Sequence, residues 1–283
     1  MKLIAGSASQ DLSKKLADLT NIPIVTTETK RFPDGELYIR IKEDIGKEDI
    51  IIVQTTYPDE NIIELFLLLD AVNRAKANFI TVIIPYFGYA RQDKQFKKGE
   101  PISAEALAKL ISTLSDKVIT VDPHKEHILE FFSIPAESVS AVPTLSSYLQ
   151  DKQIDLILAP DYGALDRANH AANQLKCDVD YLEKTRVDGN TISIAPKNLA
   201  VKEKTVAIID DIVSTGGTMA EAIKQLHAQE VDTIYVACTH GLFAGSAIKK
   251  LEEAGCKEII ATDTIQTQFS KVSVSEVLNQ IIQ

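Results

Sequence analysis

Two stretches of this chain, 50–84 and 205–237, read as the same succession of strand, loop, helix and strand, and this repetition constrains the fold more than any other feature. In the first copy Ile50 to Gln54 is the strand, Thr55 to Asp59 the loop, Glu60 to Lys76 the helix and Phe79 to Ile84 the next strand. In the second, Thr205 to Ile209 leads through a longer loop to a helix over Met219 to Gln229 and a strand over Thr233 to Ala237. Such short, apolar and largely β-branched strands suit the inside of a parallel sheet with helices on its faces. Two similar α/β domains are therefore expected, and 283 residues are enough to give each a buried core. The region Pro135 to Thr144, where two prolines bracket small residues, is read as the linker, dividing the chain into 1–143 and 144–283.

The two copies differ in their loops. After the apolar run Val206 to Ile209, the second copy continues Asp210-Asp211-Ile212-Val213-Ser214-Thr215-Gly216-Gly217-Thr218, at the carboxyl end of a strand where open α/β sheets bind ligands. Ser214, Thr215 and Thr218 offer hydroxyls, and Gly216 and Gly217 let backbone N–H groups approach an anion at the positive end of the following helix. That half suits a monophosphate. Asp210 and Asp211 stand too close to it to bind phosphate themselves, so they are read as acceptors for sugar hydroxyls or for a metal's water shell. A phosphosugar satisfies both halves, whereas a plain Ser/Thr/Gly turn capping a helix would not need the acid pair. The first copy's loop, Thr55-Thr56-Tyr57-Pro58-Asp59, lacks both the paired acids and the Gly-Gly, so only the second domain is expected to hold the phosphosugar.

Five further segments stand out. Arg31-Phe32-Pro33-Asp34-Gly35-Glu36 and Tyr89-Ala90-Arg91-Gln92-Asp93-Lys94 combine an aromatic ring, acceptors and cations that would serve a nucleotide: Phe32 to stack on a base, Asp34 and Glu36 to accept hydrogen bonds, Arg91 to pair with phosphate. His124 in Val121-Asp122-Pro123-His124 and Asp161 in Ala159-Pro160-Asp161-Tyr162-Gly163-Ala164 each follow an apolar strand, and imidazole with carboxylate suits a hydrated divalent cation that also bridges phosphates. Finally, Tyr181 to Ile194 reads as a hairpin about the Asp188-Gly189 turn, with Lys184 and Arg186 on one face at period two.

The loop at 210–218 resembles the phosphoribosyl-binding loop of type I phosphoribosyltransferases and of the ribose-phosphate pyrophosphokinases, or phosphoribosyl-diphosphate (PRPP) synthetases. The segments around Phe32 and Arg91 resemble nucleotide-binding segments of the synthetases, which the transferases lack, and with the other motifs the resemblance spans nearly the whole chain. It implies two tandem phosphoribosyltransferase-like (type I) domains, each a mainly parallel sheet flanked by helices. It also implies diphosphoryl transfer from Mg-ATP to the 1-hydroxyl of ribose 5-phosphate, giving PRPP and AMP. Residue by residue, it implies catalytic roles for Lys184 and Arg186 on a catalytic loop, and ATP binding by Phe32, Asp34, Gly35, Glu36, Arg91 and Gln92. Ribose 5-phosphate would be held by Arg186, Asp210, Asp211, Ser214, Thr215, Gly216, Gly217 and Thr218, and Mg2+ by His124 and Asp161. A homo-oligomer with the active site near a subunit interface is implied as well. Ala164 stands where many relatives carry a second glycine, and the flanks of His124 differ from the commonest pattern. The chain is similar to the shorter archaeal members, and neither ADP inhibition nor a hexamer is carried over. Two alternatives stay open: a phosphoribosyltransferase, and a non-catalytic regulatory protein of the kind associated with the synthetases.

Composition is consistent with small anionic substrates. A net charge of −10 argues against a nucleic-acid or anionic-membrane surface. Cys177, Cys238 and Cys256 are far apart and without metal spacing, which points to a reducing compartment. No apolar run reaches the ~18 residues that span a bilayer, so a cytoplasmic enzyme is expected.

Overall fold

The computed structural model describes residues 1–186, 192–195 and 200–282, the strands at 183–186 and 192–195 by their backbone alone. The chain divides into two compact units. The first runs from Met1 to Ser140 and regains Thr264–Gln266 and the residues from Val274 onward. It contains, in chain order, β1 (Lys2–Ala5), α1 (Gln10–Thr20), β2 (Thr27–Arg31), β3 (Leu37–Ile41), β4 (Asp49–Val53), α2 (Asp59–Arg74), β5 (Phe79–Ile84), α3 (Ser103–Ser112), β6 (Lys117–Val121) and β7 (Ala136–Val139). Its main sheet is parallel in the order β1-β4-β5-β6-β7, and β2 and β3 form a separate antiparallel ribbon. Ile50, Ile52, Val82 and Ile84 from the central strands share a core with Leu65, Leu68, Leu69 and Val72 of α2.

The second unit contains α4 (Val142–Leu149), β8 (Leu156–Ala159), α5 (Leu165–Leu175), β9 (Asp178–Tyr181), β10 (Glu183–Arg186), β11 (Ile192–Ala195), β12 (Thr205–Val213), α6 (Gly217–Ala228), β13 (Thr233–Gly241), α7 (Ala247–Glu253), β14 (Glu258–Thr262) and β15 (Ser270–Val272). Its sheet is parallel in the order β15-β14-β13-β12-β8-β9, with β10 and β11 paired as an antiparallel ribbon. The central strand β12 shows why an unbroken apolar run is needed here. Val206 and Ile208 enter one core with Ile223 and Leu226 of α6, while Ala207 and Ile209 enter the other with Ala168 and Ala171 of α5. Both faces are covered, and each fully buried Val or Ile contributes roughly 1.5–3 kcal/mol.

Two expectations need correcting. Residues 135–144 are no linker: Ala136–Val139 pairs with Val118–Val121 as the edge strand β7, and the two units divide between Ser140 and Ala141 rather than after residue 143. The final helix, α8 (Ser275–Ile282), belongs to the first unit and packs on α1 rather than completing 144–283. On α3 the buried face is Ala104, Leu107, Ala108 and Ile111, and Leu110 is 54% exposed.

Candidate active site

β12 is longer than its apolar run. It continues through the acid pair to Val213, because Asp210 pairs with Cys238, Ile212 with His240 and Val213 with Gly241. Asp210 and Asp211 are therefore held by a strand backbone and not by a loop. The Asp211 N–H donates to Asp210 Oδ1 at 2.8 Å. A third residue joins them, which the sequence reading did not single out: Arg167 Nη1 lies 3.9 Å from Asp210 Oδ1 and 4.0 Å from Asp211 Oδ1. The side chains are 16%, 23% and 10% exposed for Arg167, Asp210 and Asp211. Burial, and then repulsion from Asp211, push the Asp210 carboxyl well above the usual carboxylate range, while Arg167 acts in the opposite direction. One signal for Arg167 was present in the sequence. It sits in the first turn of α5, where a cation opposes the helix dipole and so calls for a partner outside its own helix.

Between β12 and α6 the loop is cut to three residues, and Gly216 caps the helix with φ +70° and no side-chain cap. A Cβ on Gly216 would lie 3.0 Å from the Ala247 carbonyl oxygen and 3.2 Å from Ala247 Cα. A Cβ on Gly217 would meet nothing within 4 Å, so the first turn of α6 opens onto space. Thr215, Gly217 and Thr218 are exposed and Ser214 half-buried. Hydroxyls, uncapped helix amides and absent side chains together make a cradle suited to an anion. Gly216→Ala is expected to cost about 1–3 kcal/mol through its left-handed backbone and the contact with Ala247. Urea unfolding of the variant measures this, and an unchanged midpoint would refute it.

Asp161 follows β8, the neighbour of β12, in extended conformation just before the 3-10 turn Tyr162–Ala164. It thus stands on the same sheet edge as the cradle. The β10–β11 ribbon puts Lys184 opposite Ile194 and Arg186 opposite Ile192, so both cationic residues share one face, as their spacing predicts. Their side chains and the Asp188-Gly189 turn lie outside the described residues.

In the first unit, the counterpart of the cradle is filled from within. Thr55 and Thr56 are each 1% exposed. Thr55 Oγ1 donates to the Thr264 carbonyl at 2.6 Å, and Thr56 Oγ1 accepts from the Gly88 N–H at 2.8 Å. The hydroxyls that would greet a phosphate are thus committed to the protein's own backbone. Phe32 to Glu36 form the tip of the β2–β3 ribbon. There the Phe32 ring, 46% exposed, meets Tyr38 edge to face at 5.8 Å, Gly35 has φ +94°, and Asp34 Oδ1 accepts the Glu36 N–H at 3.1 Å. Arg91 is exposed, while Gln92 receives the Ser103 hydroxyl at 2.5 Å on its side-chain oxygen. His124 is half-buried on the segment after β6, at the carboxyl edge of the first sheet.

Two parallel-sheet units, the second with an acid pair and an anion cradle at its strand ends, define the class of two-domain phosphoribosyl enzymes. Residues 1–114 match the family model described as the N-terminal domain of ribose phosphate pyrophosphokinase, and residues 135–276 match the phosphoribosyl transferase domain. The chain is 40% identical to the ribose-phosphate pyrophosphokinase of Methanosarcina mazei over 100% of its own length and 95% of that protein's. It is 36% identical to the enzyme so named from Methanothermobacter thermautotrophicus, over 99% of each. Its structure is similar to a crystal structure of phosphoribosylpyrophosphate synthetase from Mycobacterium smegmatis, with a TM-score of 0.86 at 28% identity, covering 99% of this chain and 97% of that one. The chain belongs to the ribose-phosphate pyrophosphokinase family.

Proposed function

We propose that this protein transfers the β,γ-diphosphoryl group of Mg-ATP to ribose 5-phosphate. The 1-hydroxyl attacks the β-phosphorus, the bond from that phosphorus to the α–β bridging oxygen breaks, and AMP leaves as PRPP forms. The observation that carries this reading is the pairing, on one strand and the helix after it, of a buried acid pair with an uncapped, glycine-opened helix end. The cradle, Ser214 to Thr218, takes the 5-phosphate, and Asp210 and Asp211 accept from ribose hydroxyls. Phe32, Asp34, Gly35, Glu36, Arg91 and Gln92 serve ATP. Lys184 and Arg186 stabilise charge on the transferring group, the kind of electrostatic assistance that dominates phosphoryl transfer.

Among the described residues no group of three or more His, Cys, Asp or Glu is placed to hold a metal ion. Magnesium, however, keeps several waters and takes one or two protein donors together with substrate phosphates, so His124 in the first unit and Asp161 in the second are each a fitting type of donor. When bound, the ion would neutralise phosphate charge. Ile63 and Leu67 lie one turn apart on α2, 55% and 38% exposed, which supports a homo-oligomer formed through the first unit. Among the described residues no helix is long and apolar enough to cross a membrane.

Mixing the purified protein with ATP, magnesium and ribose 5-phosphate should yield AMP and PRPP in equal amounts. No AMP in the presence or absence of inorganic phosphate would sink the reading. PRPP consumed only when a nucleobase is supplied would favour a phosphoribosyltransferase, which has no use for Phe32 and Arg91.

A further inference from the structure

The first unit's counterpart of the anion cradle has no open end, yet it is not idle. Glu60 and Asp59, the first two residues of α2, each reach a different segment assigned above to ATP. On one side, Arg31 donates from Nη1 to the Gly35 carbonyl at 2.8 Å and from Nη2 to Glu60 Oε2 at 2.7 Å, so a single planar guanidinium clamps the 32–36 turn to the helix. On the other, the Tyr89 hydroxyl donates to Asp59 Oδ1 at 2.8 Å. Tyr89 has φ +64°, and its carbonyl accepts the Gln92 N–H at 2.9 Å, so the phenol fixes the turn that presents Arg91. The same segment is fastened a third time at Gly88, whose N–H donates to Thr56 and whose Cβ, if it had one, would lie 2.4 Å from the Thr56 carbonyl oxygen.

We infer that residues 55–60, the sheet-edge loop that in the second unit binds phosphosugar, act in the first unit as a brace that positions both nucleotide segments, with Asp59, Glu60, Arg31 and Tyr89 as positioning residues. The inference rests on the assignment of Phe32–Glu36 and Arg91–Gln92 to ATP. The physical logic is preorganisation: an exposed hairpin tip and an exposed basic loop lose little entropy on meeting a nucleotide when each is already tied to a rigid helix end. Conversely, both ties are solvent-exposed, so they are worth little to global stability. Their effect should fall on ATP and not on folding.

The experiment is steady-state kinetics of the whole chain with Tyr89→Phe, Asp59→Ala, the double variant, and Arg31→Lys, alongside Phe32→Ala and Arg91→Ala. Each positioning variant is expected to raise KM for ATP about three- to tenfold, the size of one lost hydrogen bond, with kcat and the KM for ribose 5-phosphate within about twofold. Because Tyr89→Phe and Asp59→Ala remove the same bond, the double variant should be no worse than the weaker single one. If Phe32→Ala or Arg91→Ala raises the KM for ATP but the positioning variants do not, the brace is refuted while the nucleotide assignment stands. If neither Phe32→Ala nor Arg91→Ala moves it, the assignment fails and the brace with it. Additive effects in the double variant, or equal rises in KM for both substrates, would also overturn the inference.

Discussion

Lys184→Ala is expected to lower kcat by about 10²–10³-fold, the loss seen when one preorganised charge or donor is removed from a site that stabilises developing negative charge. The KM values should move little. This follows from the place of the residue in the fold. β10 and β11 form a two-stranded ribbon outside the main sheet, and their register puts Lys184 and Arg186 on one face of it. Neither the reaction nor the described residues call for a covalent intermediate, and positioning with charge neutralisation accounts for the chemistry. Lys184→Arg should recover part of the rate by restoring the charge, whereas Thr185→Ala, on the opposite face, should leave it within about twofold. Rapid-quench measurement of AMP release gives the test. A Lys184→Ala enzyme within threefold of the parent rate would remove the ribbon from the mechanism.

The second large effect concerns Asp210, and it has two opposite signs. Asp210→Asn is expected to raise the KM for ribose 5-phosphate by about 10–100-fold, because hydrogen bonds to a charged group contribute roughly 1.5–3 kcal/mol each. The same substitution should make the protein more stable at neutral pH. Burial and the neighbouring Asp211 raise the folded-state carboxyl well above its ordinary value, and Arg167 only partly offsets this. The folded state therefore keeps the Asp210 proton after the unfolded chain has lost it. The contribution of Asp210 to stability is fully present below the ordinary carboxyl pKa, about 3.9, and is lost as pH rises through the raised value. Above both values an ionised Asp210 is a net cost that asparagine avoids. Thermal unfolding should show Asp210→Asn ahead of the parent at pH 7–8, by about 2–4 °C per kcal/mol gained, and the gap closing as the pH is lowered. Arg167→Gln should act the other way, lowering stability at neutral pH and moving the acid limb of kcat/KM to higher pH. A parent more stable than Asp210→Asn at pH 8 would mean that the acid pair is not strained.

These two sites differ in how much of them could be read beforehand. The anion cradle was legible because its chemistry is local: glycines, hydroxyls and a helix start within a few residues fix their own geometry, and Gly216 does adopt the left-handed conformation that only glycine adopts cheaply. The ribbon was legible for the same reason, since alternation and a turn signal lie close together in the chain. For Arg167 only its unfavourable place in the first turn of a helix could be read; its partners could not, because it is 43 residues from Asp210 in sequence and meets it only when β8 and β12 pair side by side. The Ser103 partner of Gln92 was hidden for a similar reason: the contact depends on where α3 begins.

The chain's own pattern thus determined the two α/β units, the strands buried on both faces and the difference between the loops of the two copies. Each of these depends on residue types and on separations of a few positions, over which backbone geometry carries the information. Tertiary structure alone decided that β12 runs on through the acid pair, that residues 136–139 are an edge strand, that α8 returns to the first unit, and that Asp59 and Glu60 tie two distant segments to one helix end. These are long-range pairings, and in sequence a carboxylate with a distant partner is indistinguishable from one that faces water.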